Sequence, residues 1–86
     1  MSKNSQDLDS LIKVLLKTKD KEAMLNFLEG ILTPKELLEI PTRLKIVKML
    51  KKGIPQHRIA EMLGIGIATV TRGSKEIKKG NFKYVT

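Results

Sequence analysis

Eighty-six residues with a formal net charge of +8, no cysteine and one histidine describe one small domain. They exclude a disulfide framework and a thiolate metal centre, and a single histidine cannot by itself build a zinc site. No apolar run approaches the roughly 18 residues of a membrane span, and the polar start M-S-K-N-S-Q-D-L-D has no secretory core, so a cytoplasmic protein is expected. The charge is unevenly placed. Residues 1–42 carry six lysines against seven acids, whereas residues 43–79 carry ten lysines and arginines against Glu61 and Glu76 alone. A basic half of this kind is the footprint of a polyanion-binding face; a merely solvated surface would spread its charge.

In chain order, residues 1–4 are expected to fray. A helix starts near Ser5, with Leu8, Leu11, Ile12, Leu15 and Leu16 at i, i+3, i+4, i+7 spacing, and ends near Thr18. Asp20 is placed to cap a second helix whose apolar stripe is Ala23, Met24, Phe27, Leu28 and Ile31, with Gly30 as its terminator. Thr33-Pro34-Lys35-Glu36 then reads as a capping box with proline in the first turn. The third helix runs towards Lys52 and stops at Gly53. Pro41 lacks an N–H and crowds the Leu37 carbonyl, which predicts a kink near Glu39–Ile40 or two helices in sequence. Leu44, Ile46, Val47, Met49 and Leu50 cover more than one face of that helix, so a second contact surface is implied.

Ile54-Pro55 opens a fourth helix to Leu63, and a fifth spans about Ile67 to Lys79, ended by Gly80. Between them, Gly64 gives the freedom that a sharp turn after a helix requires. Ala60 is small where two helices must cross closely, and Ile65 is apolar where the turn plugs the angle between them. This is the pattern of a DNA-binding helix-turn-helix, although an ordinary helical hairpin has the same spacing. The tail N-F-K-Y-V-T holds Phe82 and the one tyrosine, either as a disordered end or as a segment docking on a partner chain. Residues 1–86 thus read as a single all-α domain: N-terminal helices over 1–32, a central helix over 33–53, the helix-turn-helix over 55–79 and a tail over 80–86.

Three stretches now converge. L-T-P-K-E at Leu32–Glu36, T-R at Thr42–Arg43 followed by I-V at Ile46–Val47, and G-I-A-T-V-T-R-G-S at Gly66–Ser74 resemble the bacterial Trp repressor family over roughly Leu32 to Lys79. The resemblance implies a five- to six-helix intertwined homodimer, acting as a transcriptional repressor on a double-stranded, palindromic DNA operator with L-tryptophan as corepressor. It implies that Arg43 and Arg72 stack on the two faces of the indole and that Arg72 also takes the carboxylate, assisted by Thr33. Backbone carbonyls near Gly30 and Leu32 would meet the amino group, and Gly73 would leave room for the ring. On the DNA side it implies that Ile67, Ala68, Thr69 and Thr71 face the major groove, through methyl contacts to thymine and through hydroxyls to base edges or bridging water. Gln56, His57 and Arg58 would lie near the phosphates, and Lys45, Lys75, Lys78 and Lys79 would contact phosphate, adding affinity and salt dependence but little sequence information.

The sequence departs from the family in four places. Glu76 stands where the family has a serine near the ligand's amino group; as a charged acceptor it can hold an ammonium more strongly, or it can instead pair with Arg72 and shut the site when no ligand is present. His57 replaces a guanine-reading arginine. One residue is missing between Gly53 and Gln56, and the sequence stops before the family's sixth helix, which implies a smaller dimer interface. Read without the resemblance, Arg43 is an i, i+4 partner of Glu39 worth a few tenths of a kcal/mol, and Arg72 is a phosphate contact. Two other functions remain compatible with the residues: a ligand-independent DNA-binding regulator of the same family, and an adaptor using its basic helices on an acidic protein. His57 has no carboxylate, serine or cysteine placed with it, so no catalytic residue, metal site or enzymatic function is expected.

Overall fold

A computed structural model describes residues 3–86, with side chains from Ser5 onward. The described residues form five α-helices and no strand: α1 (Lys3–Lys17), α2 (Lys21–Ile31), α3 (Pro34–Lys51), α4 (Gln56–Leu63) and α5 (Ile67–Lys78). The all-helical fold expected from periodicity is therefore present. The first two residues of the stretch expected to fray lie outside the described residues, and α1 already begins at Lys3. By its contacts the chain divides into two compact units, Met1–Leu37 and Leu38–Thr86.

In the first unit, local chemistry sets the helix ends. The Asp20 carboxylate accepts from the Glu22 and Ala23 amides, both at 3.2 Å, satisfying two of the donors that a helix start leaves without partners. The capping box forms in both directions: the Glu36 amide donates to the Thr33 hydroxyl at 3.1 Å, and the Thr33 amide donates to the Glu36 carboxylate at 2.9 Å. Gly30 does not terminate α2, which continues to Ile31 and closes with the Leu32 amide donating to the Leu28 carbonyl; that single bond needs no left-handed residue. No residue of α2 is buried, and Leu8, Ile12, Val14, Leu16, Leu25 and Ile31 are all exposed. Two amphipathic helices carry apolar stripes here with no interior of their own.

The second unit has a core. Ile46, Met49, Ile59 and Val70 are buried together, with Leu50, Ile54, Ala60, Leu63 and Ile65 packed against them. The two-helix alternative for the central segment is not found, because α3 runs unbroken through Pro41. A proline removes one intrahelical bond, while the turns on either side keep theirs, and the Thr42 hydroxyl donates to the Leu38 carbonyl at 2.8 Å. Helix α4 ends at Gly64, whose φ of 63° is left-handed and strained for any residue with a Cβ. There the Ile65 amide donates to the Ala60 carbonyl and the Gly64 amide to that of Glu61, the paired bonds of a Schellman ending. Ile65 and Ala60 both sit against the core, so the tight turn fixes how α4 packs on α5.

Candidate functional site

The N-terminal half of α5 buries Val70 completely and turns Ile67, Ala68 and Thr69 outward. Arg72, Lys75, Lys78 and Lys79 are exposed further along the same helix, as are His57 and Arg58 at the start of α4 and Lys45 on α3. These positions are the ones expected to meet a groove and its phosphates. Two expected DNA contacts, Thr71 and Lys79, differ in detail from the expectation. The Thr71 hydroxyl is half-buried and donates to Gln56 Oε1 at 2.8 Å, with the Ile67 carbonyl 3.0 Å away as a second acceptor. It thus joins α5 to α4 and holds the Gln56 amide in place, a contact across 15 residues with no signature in the sequence. Lys79 Nζ lies 3.4 Å from Glu76 Oε1, a surface pair of the kind worth little in water.

Between α5 and α3 lies a cavity of about 80 Å³ lined by Arg43, Ile46, Val47, Thr69, Arg72, Gly73, Glu76 and Phe82, so that Thr69 and Arg72 border both the pocket and the exposed face. Four of the five residues expected to form the ligand site, Arg43, Arg72, Gly73 and Glu76, are therefore brought to one pocket. The fifth, Thr33, belongs to the first unit, where its hydroxyl caps α3. The floor is apolar and the rim carries two guanidinium groups and a carboxylate, which suits a molecule with an apolar body and a charged head. A shallower depression of about 320 Å³ shares Arg43, Ile46 and Thr69 with it and is walled by Leu38, Glu39, Thr42 and Ile65. The Arg43–Glu39 pair also forms, at 3.6 Å, so the local ion pair and the place at the pocket rim coexist.

Gly73 is not an open hole. A Cβ there would stand 3.3 Å from Ile46 Cγ2 and 3.4 Å from Leu50 Cδ1, so the glycine lets α5 approach α3 closely, and the pocket opens beside that approach. Glu76 is already engaged: its carboxylate accepts from the Asn81 side-chain amide and from Lys79. The Asn81 hydrogen bond, then that of Lys79, pull its pKa below the ordinary 4.5, with smaller help from the charges of Lys79 and Arg72.

Sequence reasoning missed Phe82. In the single chain the tail folds back on α3: Lys51 Nζ donates to the Phe82 and Val85 carbonyls and the Val85 amide closes a turn on the Phe82 carbonyl. The only local hint was the glycine that ends α5. Gly80 has φ 86°, and the Asn81 amide turns back onto the Glu76 carbonyl while that of Gly80 reaches Ile77, a reversal that returns the chain towards the pocket.

Among the described residues there is no cluster of side chains able to hold a metal, and no helix is long and apolar enough to cross a membrane. Comparison with known families matches residues 6–86 to the family described as Trp repressor protein. A Trp operon repressor homolog of Vibrio vulnificus is 40% identical over 74 residues, covering 85% of this chain and 70% of its own. A Trp operon repressor homolog of Xylella fastidiosa is 34% identical over 79 residues, covering 91% and 86%. An uncharacterized protein, YerC, of Bacillus subtilis is 30% identical over 79 residues, covering 92% and 76%. No solved structure gives a significant match.

Proposed function

The chain belongs to the Trp repressor family, a family of non-enzymatic regulators, and from that we propose that it is a sequence-specific DNA-binding transcriptional repressor, acting as a homodimer and controlled by L-tryptophan or a related aromatic amino acid. The observation that carries the ligand reading is the pocket itself. Arg43, Arg72, Gly73 and Glu76 meet there over an apolar floor, and an amino acid with a flat side chain offers the matching set: carboxylate to Arg72, ammonium to Glu76, ring between the two guanidinium groups. The DNA reading rests on the outward face of α5 and on the confinement of the positive charge to the unit that carries it. Val70, buried in the core, anchors α5, and the exposed Ile67, Ala68 and Thr69 offer methyl groups and a hydroxyl to base edges, while Thr71 holds Gln56 from behind.

Binding to an operator-like palindrome and to random duplex, each over a range of salt, tests this. Lys75→Ala and Lys78→Ala each weaken both duplexes alike and reduce the salt slope by about one. Thr71→Ala, which removes a hydroxyl and frees Gln56, weakens binding to the palindrome more than to random duplex. Equal losses on both duplexes for all three variants would remove α5 from the groove.

The first unit supports the dimer reading. Apolar residues on α1 and α2 that stay exposed in one chain are covered when two chains wrap their N-terminal helices together. Sedimentation at micromolar concentration is expected to give a two-chain species, and a folded single chain there would refute it. The ligand-independent regulator of the same family is the second reading, favoured by one observation: Glu76 already has partners in Asn81 and Lys79.

A further inference from the structure

The pocket has a wall that belongs to the tail. Phe82 lines it, Asn81 donates to the Glu76 carboxylate at its rim, and Lys51, on α3, grips the Phe82 and Val85 carbonyls from outside. These contacts act together on one short segment that leaves α5 through the left-handed Gly80. The space left between these groups is about 80 Å³ and partly open to solvent, whereas an apolar cavity that accepts a benzene ring measures about 150 Å³. An indole is larger than benzene, so a bicyclic ring needs the wall to move. The ammonium of an amino acid would compete with Asn81 and Lys79 for the same carboxylate, so opening the tail frees one of its two oxygens.

We propose that residues 81–85 form a clasp that competes with the ligand: closed, it occupies Glu76 and narrows the pocket with Phe82; open, it releases both for an aromatic amino acid. The inference rests on the reading of this pocket as a ligand site. Lys51 is the latch, since its ammonium satisfies two carbonyls that water would otherwise take. Gly80 is the pivot, because its backbone can rotate without a Cβ obstructing the move. The clasp lowers apparent affinity by the fraction of time it stands open.

Calorimetry with L-tryptophan on the full chain, as wild type, Lys51→Met and Phe82→Ala, tests it together with hydrogen exchange at the Val85 amide. If the closed form holds about nine-tenths of the population, both substitutions tighten tryptophan binding about tenfold, and tryptophan accelerates exchange at Val85 in the wild type. Equal affinities in all three proteins overturn the clasp and leave the ligand site standing. Weaker binding by Phe82→Ala also overturns it, making Phe82 a wall that the ligand uses. No heat from any of the three removes the ligand site and the clasp with it. Should Phe82→Ala fail to fold, as circular dichroism would report, Lys51→Met at an exposed position carries the test alone.

Discussion

Ile59→Ala is expected to destabilise the chain by about 2–5 kcal/mol, the range for removing a large aliphatic side chain from a packed interior. The size of that loss matters because the interior is small. Ile59 is 0% exposed and is one of five buried apolar residues among those described, all in the unit Leu38–Thr86. A chain of this length has about 4–13 kcal/mol to lose in total. The side chain sits on α4 against Ile46, Met49 and Val70, so its loss loosens α3, α4 and α5 together, and with them both the DNA face and the pocket. Urea denaturation followed by circular dichroism should show the midpoint falling, with operator binding lost before the transition is complete. Met62, three residues on and 59% exposed, is the control, and Met62→Ala should change stability by less than about 1 kcal/mol. Similar losses from the two substitutions would mean that the core does not lie where these contacts put it.

What the sequence makes legible divides by distance along the chain. Asp20, the Thr33–Glu36 box and Gly64 act on amides within a turn of themselves, and each was readable from residue type and spacing. The two-helix alternative at Pro41 came from the same local logic: its ring costs a helix one bond, which ends the helix only if nothing else maintains its path. Here the capped start at Thr33 and the buried Ile46 and Val47 beyond fix α3 on both sides, so the helix passes through. Gly30 was overstated by that logic, since a helix can end on an ordinary carbonyl acceptor without a left-handed residue. The site was less legible. Composition located its charge, but the roles of Arg43, Arg72 and Gly73 came from the resemblance. Phe82 and the Thr71–Gln56 contact were hidden, because they depend on partners 31 and 15 residues away, which no periodicity encodes.

Gly73→Leu should abolish tryptophan binding while leaving a folded protein, and the geometry gives the reason for both halves. A leucine gains about 0.8–1 kcal/mol of helix propensity over glycine at a helical position. Against this, the first carbon alone would lie 3.3 Å from Ile46 Cγ2 and 3.4 Å from Leu50 Cδ1, tight enough that these side chains must give way. Inserting the remaining three carbons into a packed contact costs about 1–3 kcal/mol, so the net penalty is at most about 2 kcal/mol, within what a domain of this size tolerates. The site tolerates less. Gly73 lines a cavity of about 80 Å³, and a leucine projecting from that position fills it or pushes α5 off α3, displacing Arg72 from the rim that it shares with Arg43. Gly73→Ala separates the two effects: its Cβ makes the 3.3 Å contact but leaves the pocket open, so stability should change by less than about 1 kcal/mol and tryptophan should still bind. Calorimetry of the two variants beside the wild type measures this directly. Tryptophan binding undiminished in Gly73→Leu would place the ligand elsewhere and leave the pocket beside α5 as a packing gap between two helices.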